Sequence, residues 1–364
     1  MERSSPRIRV EELGLNEALR ECTDEWGRFC ERAEPTPFLH PQYLAAWARG
    51  LGTETACRFV IARREGELAG VGPFMLASDP FGPLSVPSLK FIGNNVGNPG
   101  DILYSEIAAV PPRTAAVRAI LERLSEWRAP KWDLGYLPPD SETRVLAPEL
   151  LGPPSNGVVP ERVPYVSLPL PRDWDEFLPG LSGNARRNFR RRLARLRELG
   201  DVNLRSEREP DAVRRTVREL VRNHRRWWEG TDRAAWFGDE RVGRFLEDSS
   251  ALLAAQGKFL AFRLEVAGQS IAWNVGAVDR GRYFEQFISF DREYTAYSPG
   301  VLLAILMARD LIDSGATEIE LGPGINDRKR DLGGKPAVYD RLRGYRGWFR
   351  AIAALHASWE GRAA

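Results

Sequence analysis

The sequence predicts an α/β chain, in the α+β sense, of two domains, and three observations carry that reading. The chain has 364 residues, 43% hydrophobic and 28% charged, enough to bury two cores and too apolar for disorder. Apolar residues recur at intervals of two in some segments and of three or four in others, so strands and helices are interspersed. Between Leu137 and Pro164 the run LPPDSETRVLAPELLGPPSNGVVPERVP holds no sustained period and is rich in turn formers, which marks a linker. Residues 1–150 then form one domain and 165–364 the other.

The first half opens with a strand over Arg7–Leu13, followed by helical patterns over Asn16–Ala33 and Pro41–Leu51. Ala56–Arg64 and Glu67–Leu76 flank a Glu65-Gly66 turn and read as a hairpin. The glycine- and asparagine-rich FIGNNVGNPGDILY comes next, then a helix over Pro111–Trp127 and a short strand at Trp132–Gly135.

In the second half a strand at Tyr165–Leu168 precedes a helix over Ser182–Leu199, in which Ala185, Phe189, Leu193 and Leu196 share one face. A strand at Val202–Ser206 leads to a helix with Val213, Val217, Leu220, Val221, His224 and Trp228 along one side, and another helix covers Asp239–Gln256. Three strands, Lys258–Val266, Ser270–Val278 and Tyr283–Phe290, are joined by Ala267-Gly268-Gln269 and Asp279-Arg280-Gly281-Arg282, both suited to hairpin turns. A helix over Pro299–Ser314 stops at Gly315; strands at Thr317–Leu321 and Arg341–Phe349 complete the chain.

Composition narrows the function. The 52 basic and 50 acidic residues leave a net charge of +2, so the whole is no polycation and any nucleic-acid footprint is local. Forty-seven of the 52 are arginine, which supplies many guanidinium forks or reflects coding preference. No apolar run reaches the roughly 18 residues of a membrane span, and Met1–Pro6 lacks the core of a secretory signal, so the expected address is the cytoplasm. Cys22, Cys30 and Cys57 have no metal-ligand spacing and an odd count, and are expected as reduced, buried thiols. His40, His224 and His356 form no metal or triad pattern, so no metal is expected.

Four features bear on chemistry. Tyr297-Ser298-Pro299-Gly300-Val301-Leu302 lies between strand and helix: proline at a first helical position, a glycine permitting close approach, and first-turn amides at the positive end of the dipole suit a pyrophosphate, or describe an ordinary Ser-Pro helix start. In YFEQFISFD, Glu285 is an acid among aromatics: burial would raise its pKa and suit it to take a proton from an attacking ammonium, or it pairs with an arginine. Arg186, Arg187, Arg190, Arg191, Arg192, Arg195 and Arg197 fall in one helix with no acid before Glu198, which is a solvated face or a seat for an anion such as tRNA or an anionic saccharide lipid. Trp227, Trp228 and Trp236 either line an acyl or sugar groove or pack as core.

The segments SGNARRNFRRRLARL, YSPGVLL and LGPGINDRKRDL, supported by PTPFLHPQYLAAW, resemble the Gcn5-related N-acetyltransferase (GNAT) superfamily. Within it they are most similar to the BioF2-like or CelD-like branch, whose doubled architecture is shared with the FemABX aminoacyltransferases. The resemblance implies two tandem GNAT-like domains, each a mixed, mostly antiparallel sheet flanked by helices. The first would be degenerate and serve the acceptor, and the second would bind the acyl donor. It also implies that the loop at Tyr297–Leu302 holds the pyrophosphate of coenzyme A, although a single glycine and a proline replace the usual spaced glycines. Glu320 stands where relatives carry Asp; Lys329 matches the lysine of a Tyr-Lys pair whose tyrosine is lost here, and would neutralise phosphate or an oxyanion; Asp101 matches an acid that would hold the acceptor amine.

The function expected is transfer of an acyl group from acetyl-CoA or another acyl-CoA to a small amine, amino-sugar or peptide acceptor by direct attack, in cell-envelope or polysaccharide metabolism. Two alternatives stand beside it. One is aminoacyl-tRNA-dependent peptidyl transfer, with tRNA on the Arg186–Arg197 helix. The other is a non-catalytic role in polysaccharide assembly.

Overall fold

The computed structural model describes residues 8–33, 36–51, 53–81, 84–93, 103–104, 112–152, 161–228 and 237–351. They form two compact units, Met1–Val163 with Val338–Ala364 and Pro164–Ala337.

The first unit runs β1 (Ile8–Gly14), α1 (Leu15–Ala33), α2 (Pro41–Gly50), β2 (Cys57–Arg64), β3 (Glu67–Phe81), β4 (Leu84–Phe91), β5 (Leu103–Tyr104), α3 (Pro112–Ser125), β6 (Lys131–Leu137) and α4 (Glu142–Leu150). Strand β2 is buried on both faces because it has helices on both sides. Val60 and Ala62 pack with Val117, Ile120, Leu121 and Leu124 of α3, while Phe59 meets Trp26 of α1 edge-on at 5.2 Å. The β2–β3 turn forms as expected, with Glu65 at φ 54° and Gly66 at φ 89°, the left-handed pair that a tight hairpin needs. The three cysteines are buried free thiols.

The second unit runs β7 (Glu161–Pro169), α5 (Trp174–Gly180), α6 (Gly183–Arg197), β8 (Val202–Glu207), α7 (Pro210–Trp228), α8 (Glu240–Ala254), β9 (Phe259–Val266), β10 (Gln269–Asp279), β11 (Arg282–Phe290), α9 (Pro299–Asp313), β12 (Glu318–Pro323) and α10 (Asp327–Asp331). Its strands lie in the order β7-β12-β11-β10-β9-β8, antiparallel except for the parallel pair β11–β12. One face packs on α9 and α6, whose Leu302, Leu303, Ile305, Phe189 and Leu196 share a core with Phe262, Leu264 and Ile319. Helices α7 and α8 pack on β9, and α7 reaches on to β10 and β11. Helix α9 ends at Gly315, φ 82°, as a left-handed cap.

Strand β13 (Lys335–Tyr345) then returns to the first unit, whose sheet order is β1-β2-β3-β4-β6-β13, with β5 beside β3. Its residues Asp340–Tyr345 pair antiparallel with β6, and Arg341 grips the buried Asp133 with bonds of 2.9 and 2.7 Å. Two expectations are thereby corrected. Residues 338–364 group with the first unit and not with 165–337, because the last strand finds its ladder partner in β6. The 137–164 span is also no plain linker: Ser141 caps α4 by accepting from the Arg144 amide, and Leu146 and Ala147 bury into the first core.

Candidate functional site

Strands β11 and β12 pair over only three positions, Arg282–Glu318, Tyr283–Ile319 and Phe284–Glu320. Two irregularities accompany their separation. Strand β10 has a bulge at Val275/Gly276, where a Cβ on Gly276 would lie 2.2 Å from the Phe284 carbonyl oxygen, so only glycine fits. Strand β12 slips register at Glu320/Gly322, and Gly322 and Gly324 take φ 77° and 79° as the chain turns off.

Beyond the parting lies a cavity of about 410 Å³. Ile288, Ser289 and Phe290 of β11 line one side, His224 and Trp227 of α7 another, and Ser298, Gly300 and Val301 at the start of α9 a third, with Thr295, Asn326 and Arg328 completing it. Trp227 is fixed by its Nε1–H, which donates to the Phe290 carbonyl at 2.7 Å, and by the Arg292 guanidinium 4.3 Å from its ring centre. The Trp228 side chain and Trp236 lie outside the described residues.

Ser298 sits at φ 49°, ψ 57°, a left-handed conformation that costs a non-glycine residue energy, and its hydroxyl caps no amide. Pro299 has no amide hydrogen, and the Val301 and Leu302 amides both donate to the Ser298 carbonyl, at 3.0 and 3.2 Å. The first-turn amide left without an intrahelical acceptor is therefore that of Gly300, fewer than the sequence promised. A Cβ on Gly300 would meet Phe290 and Ile288 at 3.5 and 3.6 Å, ordinary contact, so glycine here leaves room in the cavity and is not demanded by the backbone. Of the five residues expected to hold a donor, Ser298, Gly300 and Val301 line the cavity. Leu302 is buried in the core, and Tyr297 packs against that core beneath the Arg195 guanidinium, 5.3 Å from its ring centre.

The three expected catalytic residues that lie among the described ones, Glu285, Glu320 and Lys329, are each engaged elsewhere and do not point together into the cavity. The Glu285 side chain is 5% exposed and takes the second of its two readings, a pair with an arginine: both its oxygens are held by Arg328, one at 2.9 Å, and Oε2 also accepts from Asn274 Nδ2 at 2.7 Å. Asn274 in turn accepts from Tyr283 Oη at 2.7 Å, and burial, with the Glu285 charge second, keeps that phenol protonated well above its usual range. A carboxylate so engaged is a structural anchor and no free base. Glu320 is buried away from the cavity against Arg282, its pKa raised by desolvation that this partner only partly offsets. Lys329 donates to the carbonyls of Gly322, Pro323 and Gly324 at 2.8, 2.8 and 2.9 Å, which uses all three protons, and burial pushes its pKa down to about 8. It fastens the turn after β12 and has no donor left for an oxyanion. Asp101 lies outside the described residues.

His224 and Arg328 were missed. The histidine was hidden on the apolar stripe of α7, and the arginine sat one position before the lysine that drew attention. Burial pushes the His224 pKa down to about 4, so the ring is neutral at pH 7. On α6, Arg187, Arg190, Arg191, Arg195 and Arg197 are exposed, and among the described residues no carboxylate forms an ion pair with any of its seven arginines. Elsewhere in this unit Arg263 pairs with Glu207 and Arg218 with Glu247. Among the described residues there is no cluster of potential metal ligands, and no helix is long and apolar enough to cross a membrane.

Residues 183–330 match the family model of the acetyltransferase (GNAT) domain, a span that holds the parted strands, the cavity and α9. No curated protein matches the chain. Among solved structures, FemX aligns over 95% of this chain and 99% of its own at 13% identity and a TM-score of 0.61. The C-terminal domain of a putative lysylphosphatidylglycerol synthetase from Agrobacterium fabrum aligns over 93% and 96% at 12% and 0.53, and L-PGS from Bacillus licheniformis over 91% and 98% at 14% and 0.52. At such identities the likeness is one of fold alone, an α/β fold whose alignments run over most of the chain.

Proposed function

We propose that the chain is an N-acyltransferase that moves an acyl group from acyl-CoA to an amine acceptor by direct attack within Pro164–Ala337. The observation that carries the reading is the cavity opened where β11 leaves β12, walled by the start of α9 and lying inside the span that matches an acetyltransferase domain. The Gly300 amide and the Ser298 hydroxyl would take the pyrophosphate, with the positive end of the α9 dipole behind them. Ile288, Phe290 and Trp227 would enclose the acyl and pantetheine carbons. Bringing two reactants together supplies about 7 to 11 kcal/mol of the barrier, so the reaction does not require the base that Glu285 fails to provide. Assignment to the BioF2-like or CelD-like branch, a cytoplasmic address and a place in envelope or polysaccharide metabolism belong to this proposal.

The unpaired arginines of α6 favour a second reading, an aminoacyl-tRNA donor, because a helix this densely charged is poorly matched to one nucleotide. A thermal-shift screen separates the readings. Acetyl-CoA at a hundred times its Kd should stabilise the protein by about 2.7 kcal/mol. A tRNA complex that neutralises about five phosphates should lose affinity with a log-log salt slope near 3 to 4, and acyl-CoA much less. No stabilisation by acetyl- or longer acyl-CoA, nor by charged tRNA, would leave the non-catalytic alternative.

A further inference from the structure

We infer that the flank of α6 beside the start of α9, made by Arg191, Arg192 and Arg195, binds the 3′-phosphate on the ribose of the acyl-CoA donor. This rests on the acyl-transfer reading above and concerns the part of the donor that lies outside the cavity.

The donor end of the cavity is short of positive charge. A phosphate monoester such as the ribose 3′-phosphate brings a charge of about −1.5 to −2 at pH 7, added to that of the pyrophosphate. Against it the cavity lining offers Arg328, which is committed to Glu285, and His224, whose ring is neutral at that pH. Arg292 is spent on the Trp227 carbonyl and ring. The Gly300 amide and the Ser298 hydroxyl are already assigned to the pyrophosphate, so cations for a further phosphate have to come from a neighbouring element.

Helix α6 is that neighbour. It touches both α9 and the short 3-10 helix Arg292–Tyr297 that leads into α9. The Arg195 guanidinium lies over the Tyr297 ring, 5.3 Å from its centre, and in the chain Tyr297 stands between Thr295 and Ser298, which both line the cavity. Stacking fixes the plane of the guanidinium and leaves its N–H edges open. Arg191 and Arg192 precede Arg195 by four and three residues, so the three share one side of the helix. Among the described residues no carboxylate forms an ion pair with any of them. Arg191 Nη2 donates to Asn188 Oδ1 at 2.9 Å, which orients this side chain without neutralising it. Three like charges on adjacent turns repel one another until an anion lies between them, and the guanidinium fork meets phosphate oxygens two at a time. The other arginines of α6 are placed differently. Arg190 projects about 140° away from Arg195 around the helix axis, and Arg186 donates to the Pro179 carbonyl at 3.2 Å.

Calorimetric titration at fixed ionic strength with acetyl-CoA and with acetyl-3′-dephospho-CoA tests the contact. The wild type should bind acetyl-CoA about tenfold more tightly than the dephospho form. In Arg195→Gln, and in Arg191→Gln with Arg192→Gln, that preference should shrink toward unity while affinity for the dephospho form stays at the wild-type value. Arg190→Gln should keep the full preference. Equal affinities in the wild type, a full preference in both flank variants, or a parallel loss of both ligands overturns the inference. Failure of the wild type to bind either ligand removes the reading beneath it instead; charged tRNA bound by the wild type and lost in Arg195→Gln would then assign this flank to RNA.

Discussion

Arg328 holds both carboxylate oxygens of Glu285, and the pair closes the gap where β11 parts from β12; the two side chains are 13% and 5% exposed. Forty-three residues separate them in sequence, and their union turns a supposed base into the brace of the cavity wall.

Removing one partner of this pair strands the other charge in a poor solvent. Glu285→Ala should cost about 3 to 5 kcal/mol, and Glu285→Leu with Arg328→Met less than either single change. Urea denaturation of Glu285→Ala, of Glu285→Leu and Arg328→Met singly, and of the double variant measures it; additive losses of the two singles in the double would show that the pair is uncoupled.

Lys329 yields a pH signature of its own. Its folded pKa of about 8 lies below the ordinary lysine value of 10.5, so between these limits the unfolded chain binds more protons. Stability attributable to the group is therefore full above 10.5 and lost as pH falls to 8, by up to about 1.4 kcal/mol per pH unit. Wild type minus Lys329→Met, measured by denaturation from pH 7.5 to 10.5, should rise with pH across that window. Since the variant also loses three hydrogen bonds, its loop after β12 should exchange amide hydrogens faster.

The two glycines of the site should respond in opposite ways. Gly276→Ala forces a Cβ to within 2.2 Å of the Phe284 carbonyl oxygen and should cost about 3 kcal/mol or more, whereas Gly300→Ala, at 3.5 Å from Phe290, should stay within about 0.5 kcal/mol of wild type. Thermal melts decide it.

The α6 arginines should matter for binding and not for folding. Arg187, Arg190 and Arg191 changed together to Gln should leave the melting temperature nearly unchanged, because none has a carboxylate partner, and should release the protein from a heparin column at lower salt. Elution at an unchanged position would show that this face takes no polyanion.

What the sequence could reveal was local. The hairpin turns at Glu65-Gly66 and Ala267-Gly268 were legible because two consecutive left-handed residues leave few choices, and the α9 corner because Pro-Gly after Ser names a helix start. Helix α4 was hidden by the prolines around it and by Pro148 within it, and β4 by Pro87 in its middle. That β13 pairs with β6, that Lys329 turns to three carbonyls and that Arg328 reaches Glu285 are consequences of folding between distant segments, which no periodicity encodes. His224 reads as core because it shares the stripe of Val217 and Val221, and only the folded chain shows that it also lines the cavity.

Calorimetric titration of acetyl-CoA into wild type, Gly300→Ala and Gly300→Trp tests the central claim most directly. The account predicts a single site in the wild type, affinity within a few-fold in the alanine variant, and no measurable binding in a tryptophan variant that still melts cooperatively. Undiminished binding in Gly300→Trp, or no binding to the wild type at millimolar acetyl-CoA, would contradict it.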